Sequence, residues 1–425
     1  MILRKPFFVT LFLYSLILIG LLITRGGIND LFRLLYLFPL VLVFGGFWAF
    51  FSVRGISINR FVREERKQLG QVLEQRFEII NNYKFIRPWL EVLDYSQLEG
   101  VGGSKVLAWI TPKEQRFYSV YSVLKSRGQF MLGPTVIQSG DPFGLYSFRK
   151  VIPNHQNLLV LPYLVNIRSF PYQRGILPGG KSKRVRTTEV TPHASGVREY
   201  FPGDPLNRIH WPLTAKKNIY MVKEFDQEPM ADVWIFLDGE KKEHQAGYSK
   251  EAAADVVDQF WIWKNRFDYS LPRSTFEYCV SAAASIASYY IRSGQTLGFG
   301  CIAQKPIILP AEKGDRQLGK ILETLALVMP QGMSPLHGLV MAQAGNLPKG
   351  STVVLVTSTT SPSLVISLDT LIKRDVKPIV VYINPKGFCD PPFPSADNLQ
   401  LALNYKIPYL EINYRDSLTQ ALEHD

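Results

Sequence analysis

The stretch REYFPGDPLNRIHWPLTAKK, residues 198–217, holds most of the groups needed for acid–base work or anion recognition in one short segment. Glu199 and Asp204 supply carboxylates, Arg198 and Arg208 forked guanidinium donors, and His210 an imidazole that titrates near neutrality. Tyr200 and Trp211 add large rings with a polar handle. Pro202, Pro205 and Pro212 interrupt any regular helix, and Pro202-Gly203-Asp204-Pro205 reads as a turn. The segment is therefore expected to be extended or irregular. Three readings compete: an active site, a nucleic-acid reader, or a structural clamp.

Catalytic signatures are scarce elsewhere. No HExxH, P-loop, GxSxG or Ser/Lys dyad occurs, and the six histidines are scattered. A Cys/His nucleophile pair stays open, because such partners meet only in space. Cys279, Cys301 and Cys389 form no CxxC pair and no metal-ligand spacing, which reads as three packing cysteines. No cofactor is implied. The formal charge is +12 over 425 residues. Between Arg168 and Glu224, eleven Lys or Arg face four Asp or Glu, a surplus of seven. Anionic lipid headgroups and an acidic protein both suit such a segment. Nucleic acid suits it least, since no recognition helix, zinc finger or paired aromatic platform accompanies the bases. A solvated linker is the plain alternative.

The elements that must position these residues begin with two charge-free apolar runs, 7–23 and 34–53. Runs of about 17 and 20 residues suit a bilayer core of roughly 30 Å, so a two-helix transmembrane hairpin is expected over 1–54. Arg4 and Lys5 precede it, five bases between Arg54 and Lys67 follow it, and only Arg25 and Arg33 lie between the runs. The positive-inside rule then places both ends in the cytoplasm, with the chain crossing a bacterial inner membrane twice. From 55 to 167, short β-branched and aromatic runs bounded by turn-formers predict an antiparallel β-sandwich. Within it, Asp141-Pro142-Phe143-Gly144 is either a ligand loop or a tight turn plugged by Phe143 and Leu145.

A basic arm and the dense segment fill 168–228. From 229 to 425, continuous apolar strands such as DVWIFLD, STVVLVTST and KPIVVYIN alternate with helical stretches. That pattern predicts a parallel, doubly wound α/β sheet with its ligand site at the carboxyl ends of the strands. Ser334 is the expected cap of the helix in SPLHGLVMAQA. Trp261, Trp263 and Phe267, at helical spacing in 239–274, read as an added packed helix or a lid.

The run SGVREYFPGDPLNRIHWPLTAKKNIYMVKEFDQE resembles the signature of the domain-of-unknown-function family fifty-eight. The matching positions are Gly196, Arg198, Glu199, Tyr200, Pro202, Gly203, Asp204, Arg208, Ile209, His210, Trp211, Ala215 and Lys216. The upstream RGQFMLGP and DPFGLY, and the apolar hairpin, are similar to that family as well. The resemblance implies a membrane-anchored protein ending in a von Willebrand factor A-like domain and accompanying a MoxR-type AAA+ ATPase. It also implies a place for a metal, built on Asp-x-Ser-x-Ser after the first strand. Here Asp238 keeps the acid, but Glu240 and Lys242 stand in the Ser positions. Ser334 stands for a later Thr, and no Asp follows Val356. An ammonium beside the site competes with a cation and hydroxyl ligands are lacking, so the metal site reads as degenerate and empty of metal.

The leading expectation is a non-enzymatic, membrane-tethered interaction protein that works with such an ATPase on client proteins. The alternative is a cell-envelope hydrolase or metal-dependent enzyme that uses the carboxyl ends of the α/β sheet. Residues 198–217 are then expected to clamp the two soluble domains, with Tyr200 and Trp211 buried and His210 a hydrogen-bonded core residue. A partner-binding edge is the other reading, and it requires exposed side chains.

Overall fold

The computed structural model describes residues 2–3, 5–23, 29–98, 103–171, 194–204, 206–225, 232–246, 269–359, 361–389 and 407–423. Most of the basic arm, and Trp261, Trp263 and Phe267, lie outside these residues. Two compact units emerge, one built mainly on residues 1–164 and one on 165–246, 274–321 and 329–425.

The first unit opens with β1 (Ile2–Leu3), α1 (Lys5–Ile23) and α2 (Asn29–Ser52). Phe8, Phe12, Leu16, Leu40, Val43 and Phe47 on these helices are exposed. The transmembrane hairpin expected over 1–54 is not supported as such: among the described residues no helix is long and apolar enough to cross a membrane; side chains are described for 7–20 and 36–52 of the pair. The two helices touch each other, with Tyr14 and Phe38 rings 6.0 Å apart.

The strands that follow are β2 (Ile56–Val62), β3 (Arg66–Gln68), β4 (Val72–Asn81), β5 (Arg87–Asp94), β6 (Lys105–Ile110) and β7 (Gln115–Val123). After them come β8 (Gly128–Leu132), β9 (Thr135–Gly140), β10 (Tyr146–Ile152) and β11 (Gln156–Leu161). They form a five-stranded sheet β1-β10-β9-β5-β6 and two three-stranded sheets, β2-β4-β7 and β3-β11-β8. Strict alternation along β4 sends Leu73, Gln75, Phe77 and Ile79 inward. Phe77 and Ile79 meet Leu90, Val92 and Ile137 of the five-stranded sheet in one core. The expected all-antiparallel pairing fails at one place: β3 and β11 pair in parallel. The apolar residues there pack with Leu124 and Leu132 in a separate small cluster.

Both ends of the helical pair meet this unit at β10. Ile2 and Leu3 pair with Ser147 and Tyr146, while Ala49 of α2 is buried with Leu145 and Tyr146. Arg87 seals the joint by donating to the carbonyl oxygens of Phe51 (2.5 Å) and Arg54 (2.7 Å). Those carbonyls close the last turn of α2, where a helix wants a cation. The turn after β9 is held by Asp141, whose carboxylate accepts from the backbone N–H groups of Phe143, Leu145 and Tyr146. Leu145 is buried as expected, but Phe143 is exposed: Asp141, not a phenyl plug, fixes the turn.

The second unit contains β12 (Ala194–Glu199), α3 (Trp211–Lys217) and β13 (Met221–Phe225), where β12 and β13 form a two-stranded antiparallel ribbon. Its main sheet uses β14 (Val233–Leu237), β15 (Leu297–Ile302), β16 (Pro306–Glu312), β17 (Thr352–Thr357), β18 (Lys377–Ile383) and β19 (Tyr409–Ile412). The order is β16-β15-β14-β17-β18-β19, with β16 antiparallel and every other pair parallel. Helices α4 (Thr275–Arg292), α5 (Asp315–Leu327), α6 (Leu336–Gln343), α7 (Ser363–Lys373) and α8 (Leu418–Leu422) connect or follow the strands.

Strands β14 and β17 are buried at every residue because helices cover both faces. Trp234, Phe236, Val353 and Leu355 pack against α6 and α7, and α4 lies on β14, β15, β17 and β18. Each such aromatic or aliphatic side chain contributes about 1.5–3 kcal/mol when fully buried. Gly298 lets Trp234 lie across β15, since a Cβ there would meet the indole at 2.6 Å. Two sequence expectations change here. The edge strand β16 breaks the all-parallel sheet, and α6 is capped by Pro335 rather than Ser334.

Candidate functional site

β14 delivers the chain to Asp238, Gly239 and Glu240, and then to a short 3-10 turn, Lys241–Glu243. Gly239 and Gly332 fix this exit. The Gly332 N–H donates to the Gly239 carbonyl at 2.8 Å, and a Cβ on Gly332 would meet that oxygen at 2.6 Å. Asp238 is buried, and both carboxylate oxygens are used internally. Oδ2 accepts from the Thr357 hydroxyl at 2.6 Å and Oδ1 from the Glu240 N–H at 3.1 Å. Burial pushes the Asp238 carboxyl up, against the pull of these two hydrogen bonds.

His244 sits beneath the same exit. Its Nε2 lies 3.1 Å from the Asp238 carbonyl oxygen, while Nδ1 faces Ser358 Oγ at 3.2 Å and Thr275 Oγ1 at 3.4 Å. A carbonyl only accepts, so Nε2 carries a proton, and burial favours the neutral ring. The Phe276 ring packs edge-on, 4.8 Å away. Burial drives the His244 pKa down to about 4, outweighing the Asp238 carbonyl and the Glu243 charge.

Above this floor opens a cavity of about 300 Å³. Glu240, Glu243, His337, Thr359, Ser361 and Ser363 give it polar walls. It lies where β14 and β17 end, at the edge a doubly wound sheet reserves for ligands. Burial raises the Glu240 carboxyl, and the charges of Glu243 and Asp238 add to it while Lys242 opposes. The hydroxyls stand in a ladder: Thr357 Oγ1 accepts from the Thr359 N–H, and Thr359 Oγ1 from the Ser361 N–H. His337 Nδ1 meets Ser367 Oγ at 3.1 Å. The recess thus offers carboxylates, hydroxyls and an imidazole to a cationic or hydrogen-bonding group.

The four positions of the degenerate metal pattern differ in exposure. Asp238 is sealed, Glu240 lines the recess, and Lys242 and Ser334 are exposed. Among the described residues no three His, Cys, Asp or Glu side chains are placed to hold a metal ion. Cys279 and Cys301 are buried, and burial raises both thiols, Cys301 to about 12.

The dense segment 198–217 forms the connection at one end of the β12–β13 ribbon. Arg198 grips Asp204 with two parallel hydrogen bonds of 2.7 Å. It also donates to the Glu199 carbonyl at 2.9 Å, and its guanidinium lies 5.5 Å from the Phe201 ring centre. Asp204 takes the Phe201 N–H at 3.0 Å, which closes the Pro202-Gly203 turn with φ +109° at Gly203. Tyr200 donates its N–H to Tyr220 at 2.8 Å, and the two rings stand 6.1 Å apart. Glu199 and Pro202 are exposed, and Arg208 is partly buried beside the buried Ile209.

Three expectations for this segment are corrected. A helix does form, because Pro212 falls in the first turn of α3, where its missing N–H costs nothing. His210 caps that helix, with Nδ1 accepting from the Leu213 N–H at 3.1 Å. It is a partly buried cap rather than a core residue. Trp211 is 62% exposed, so it buries no ring against the α/β sheet. The ribbon's apolar side is filled instead by Ile209, Met221 and Val222.

Sequence reasoning passed over Glu243, His244 and His337. A usable signal was present in Glu240-Lys241-Lys242-Glu243, whose carboxylates share a turn, and in the hydroxyl run Thr357 to Ser363. His337 gave none, because only the fold brings it to that turn.

Comparison with known proteins gives the following relations. The CARDB domain of the PF1109 protein from Pyrococcus furiosus is 10% identical, with a TM-score of 0.19, and 25% of this chain aligns with 91% of that one. The FixG-related protein from Vibrio parahaemolyticus is 12% identical, with a TM-score of 0.18, over 25% of this chain and 98% of that one. The Uncharacterized protein YeaD of Bacillus subtilis (strain 168) is 22% identical over 335 residues, 76% of this chain and 74% of that protein. The family described as Protein of unknown function DUF58 matches residues 196–259, a span that begins at the Gly196 signature and runs past Asp238 and His244.

Proposed function

We propose that this chain is a membrane-tethered interaction protein whose α/β unit serves as a von Willebrand factor A-like adaptor for a cytosolic MoxR-type AAA+ ATPase. The observation that carries the reading is the recess at the carboxyl ends of the sheet. It presents Glu240 and Glu243, which no ion pair reaches among the described residues. Two carboxylates held close together repel each other, and a cationic group from a partner relieves that repulsion. The six-stranded doubly wound sheet is also the architecture that the family resemblance implies.

Tethering rests on the apolar side chains that α1 and α2 turn outward, on the charge-free runs they belong to, and on the basic flanks. Both ends of the pair join β10, which supports reading them as the two same-side ends of a two-pass anchor with cytoplasmic termini.

The test uses the full chain in mild detergent with the purified AAA+ ATPase encoded nearest to it. Glu240→Lys with Glu243→Lys should weaken the complex at least about tenfold, or 1.4 kcal/mol. A complex indifferent to both reversals, or none at all, refutes the docking seat. A periplasm-dependent phosphatase fused after Asp425 should be silent; activity there refutes the orientation.

A further inference from the structure

The end of the β12–β13 ribbon keeps large apolar side chains in water. Phe201, Leu206, Trp211, Ile219 and Tyr220 are each 52–68% exposed, and all lie in the connection between the two strands. The ribbon's own packing does not need them, since Ile209, Met221 and Val222 fill its buried side. Nor is the connection loose. The Arg198–Asp204 pair, the His210 cap and the left-handed Asn218 that ends α3 hold it in one shape. A rigid tip carrying exposed rings is organised to bury them elsewhere.

Charge identifies the other surface. Lys216 and Lys217 close α3 and are exposed beside these apolar residues. In the ribbon and its connection, Arg198, Arg208, Lys216, Lys217 and Lys223 stand against Glu199, Asp204 and Glu224. Glu199 is exposed at the same end, but Asp204 is already neutralised by Arg198, and exposed rings and aliphatics beside a surplus of lysines are the composition of a bilayer interface with anionic lipid. We propose that the ribbon tip inserts into the headgroup layer of an anionic membrane, with the rings at the acyl boundary and Lys216 and Lys217 on lipid phosphates. This rests on the membrane-tethered reading, since the anchor supplies the high local lipid concentration that makes a small tip effective.

The experiment uses the full chain with Cys389→Ser and Ile219→Cys, leaving the buried Cys279 and Cys301 in place, and an environment-sensitive dye on the new thiol. The protein is reconstituted into vesicles of phosphatidylcholine alone, or of phosphatidylglycerol and phosphatidylcholine in a one-to-three ratio. Each set carries a headgroup-proximal spin-labelled lipid, and flotation is recorded in parallel. The expected result is flotation with both vesicles but dye quenching only with the anionic ones, reversed by high salt. Lys216→Glu with Lys217→Glu should lower the docked fraction at least about 30-fold, from roughly 1 kcal/mol per lost base at the surface. Lys349→Glu, an exposed lysine of the α/β sheet connections, should change nothing. Flotation without quenching in either vesicle overturns the insertion and leaves the anchor standing. Equal quenching in both overturns the role of the lysines, and a dye already shielded in detergent assigns the tip to a protein contact instead. A chain that fails to float overturns the anchor and the insertion together.

Discussion

Replacing His244 with Gln should remove about 2.5 kcal/mol of the acid-induced loss of stability of the α/β unit. The imidazole is held neutral, with its pKa driven down to about 4 by burial, against about 6.5 in an unfolded chain. A group whose folded pKa is depressed favours folding above its unfolded pKa, and that contribution falls away as pH drops towards the folded value. The window is therefore about pH 6.5 down to 4. At pH 4.5 the unfolded chain is almost fully protonated at this residue, while the folded one is mostly neutral. The linkage integral gives a loss of about 2.5 kcal/mol between pH 7 and 4.5. Asp238 acts in the opposite direction, since burial raises its carboxyl and acid relieves the cost of a buried charge. Only the difference between parent and variant isolates the histidine. Gln keeps an N–H for the Asp238 carbonyl and does not titrate, so its own cost is nearly the same at both pH values. Hydrogen exchange of the full chain, read on peptides covering Val233–Leu237 and corrected for the intrinsic rate at each pH, reports this opening free energy. Parent and variant losing protection in parallel would refute the assignment of a buried neutral imidazole.

Other consequences follow from burial. Asp94→Ala should destabilise the first unit by about 3–5 kcal/mol, because it strands the Arg60 guanidinium. Both side chains are 1% exposed, and Arg60 also donates to Ser96 and Thr135. Thermal melts of the full chain check this, and a loss below about 1 kcal/mol would mean water reaches Arg60. Trp211→Ala should cost only about 1 kcal/mol rather than the 3–5 of a core aromatic, since the ring is mostly exposed. A large shift in the melt would show that the ring is buried in solution.

Legibility in the sequence followed the strength of local pattern. Val233–Leu237 and Thr352–Thr357 are unbroken apolar runs because both faces are covered, so their place in a central sheet could be read directly. β16 escaped because an edge strand alternates exposed and half-buried residues, and Pro306 and Pro310 disguise it. Pro212 misled because the same ring that breaks a helix interior is favoured in a first turn, and three residues of local context do not say which applies. Trp211 misled differently. Burial was inferred from residue type, yet type sets only a preference, and a functional surface is where that preference is overridden. The recess was legible at Asp238 and Glu240 but not at His337, about a hundred positions downstream, because only the winding of the sheet joins them.

The fate of Asp238 explains why the recess presents glutamates. At the end of a first doubly wound strand, an acid can be offered to a ligand or turned inward. Here Thr357, at the end of the adjacent strand β17, donates its hydroxyl to Oδ2, and the chain's own Glu240 N–H occupies Oδ1. Those bonds tie the ends of two central strands together and leave the carboxylate buried. Such a group is costly to charge and is kept by its hydrogen bonds, so it acts as a latch. His244 extends the latch by holding the Asp238 carbonyl, and Ser358 ties it to Glu243 by donating to that residue's carbonyl at 2.7 Å. The turn that carries Glu240 and Glu243 is thus pinned from below by the buried Asp238, Thr357 and Ser358 and the partly buried His244. With the backbone of the turn pinned, the Glu243 charge acts on Glu240 and raises its carboxyl. On the two proposals made above, a negative recess of this kind and a lysine-flanked apolar tip on the same unit select different partners: one takes a basic group from a protein, the other an anionic surface.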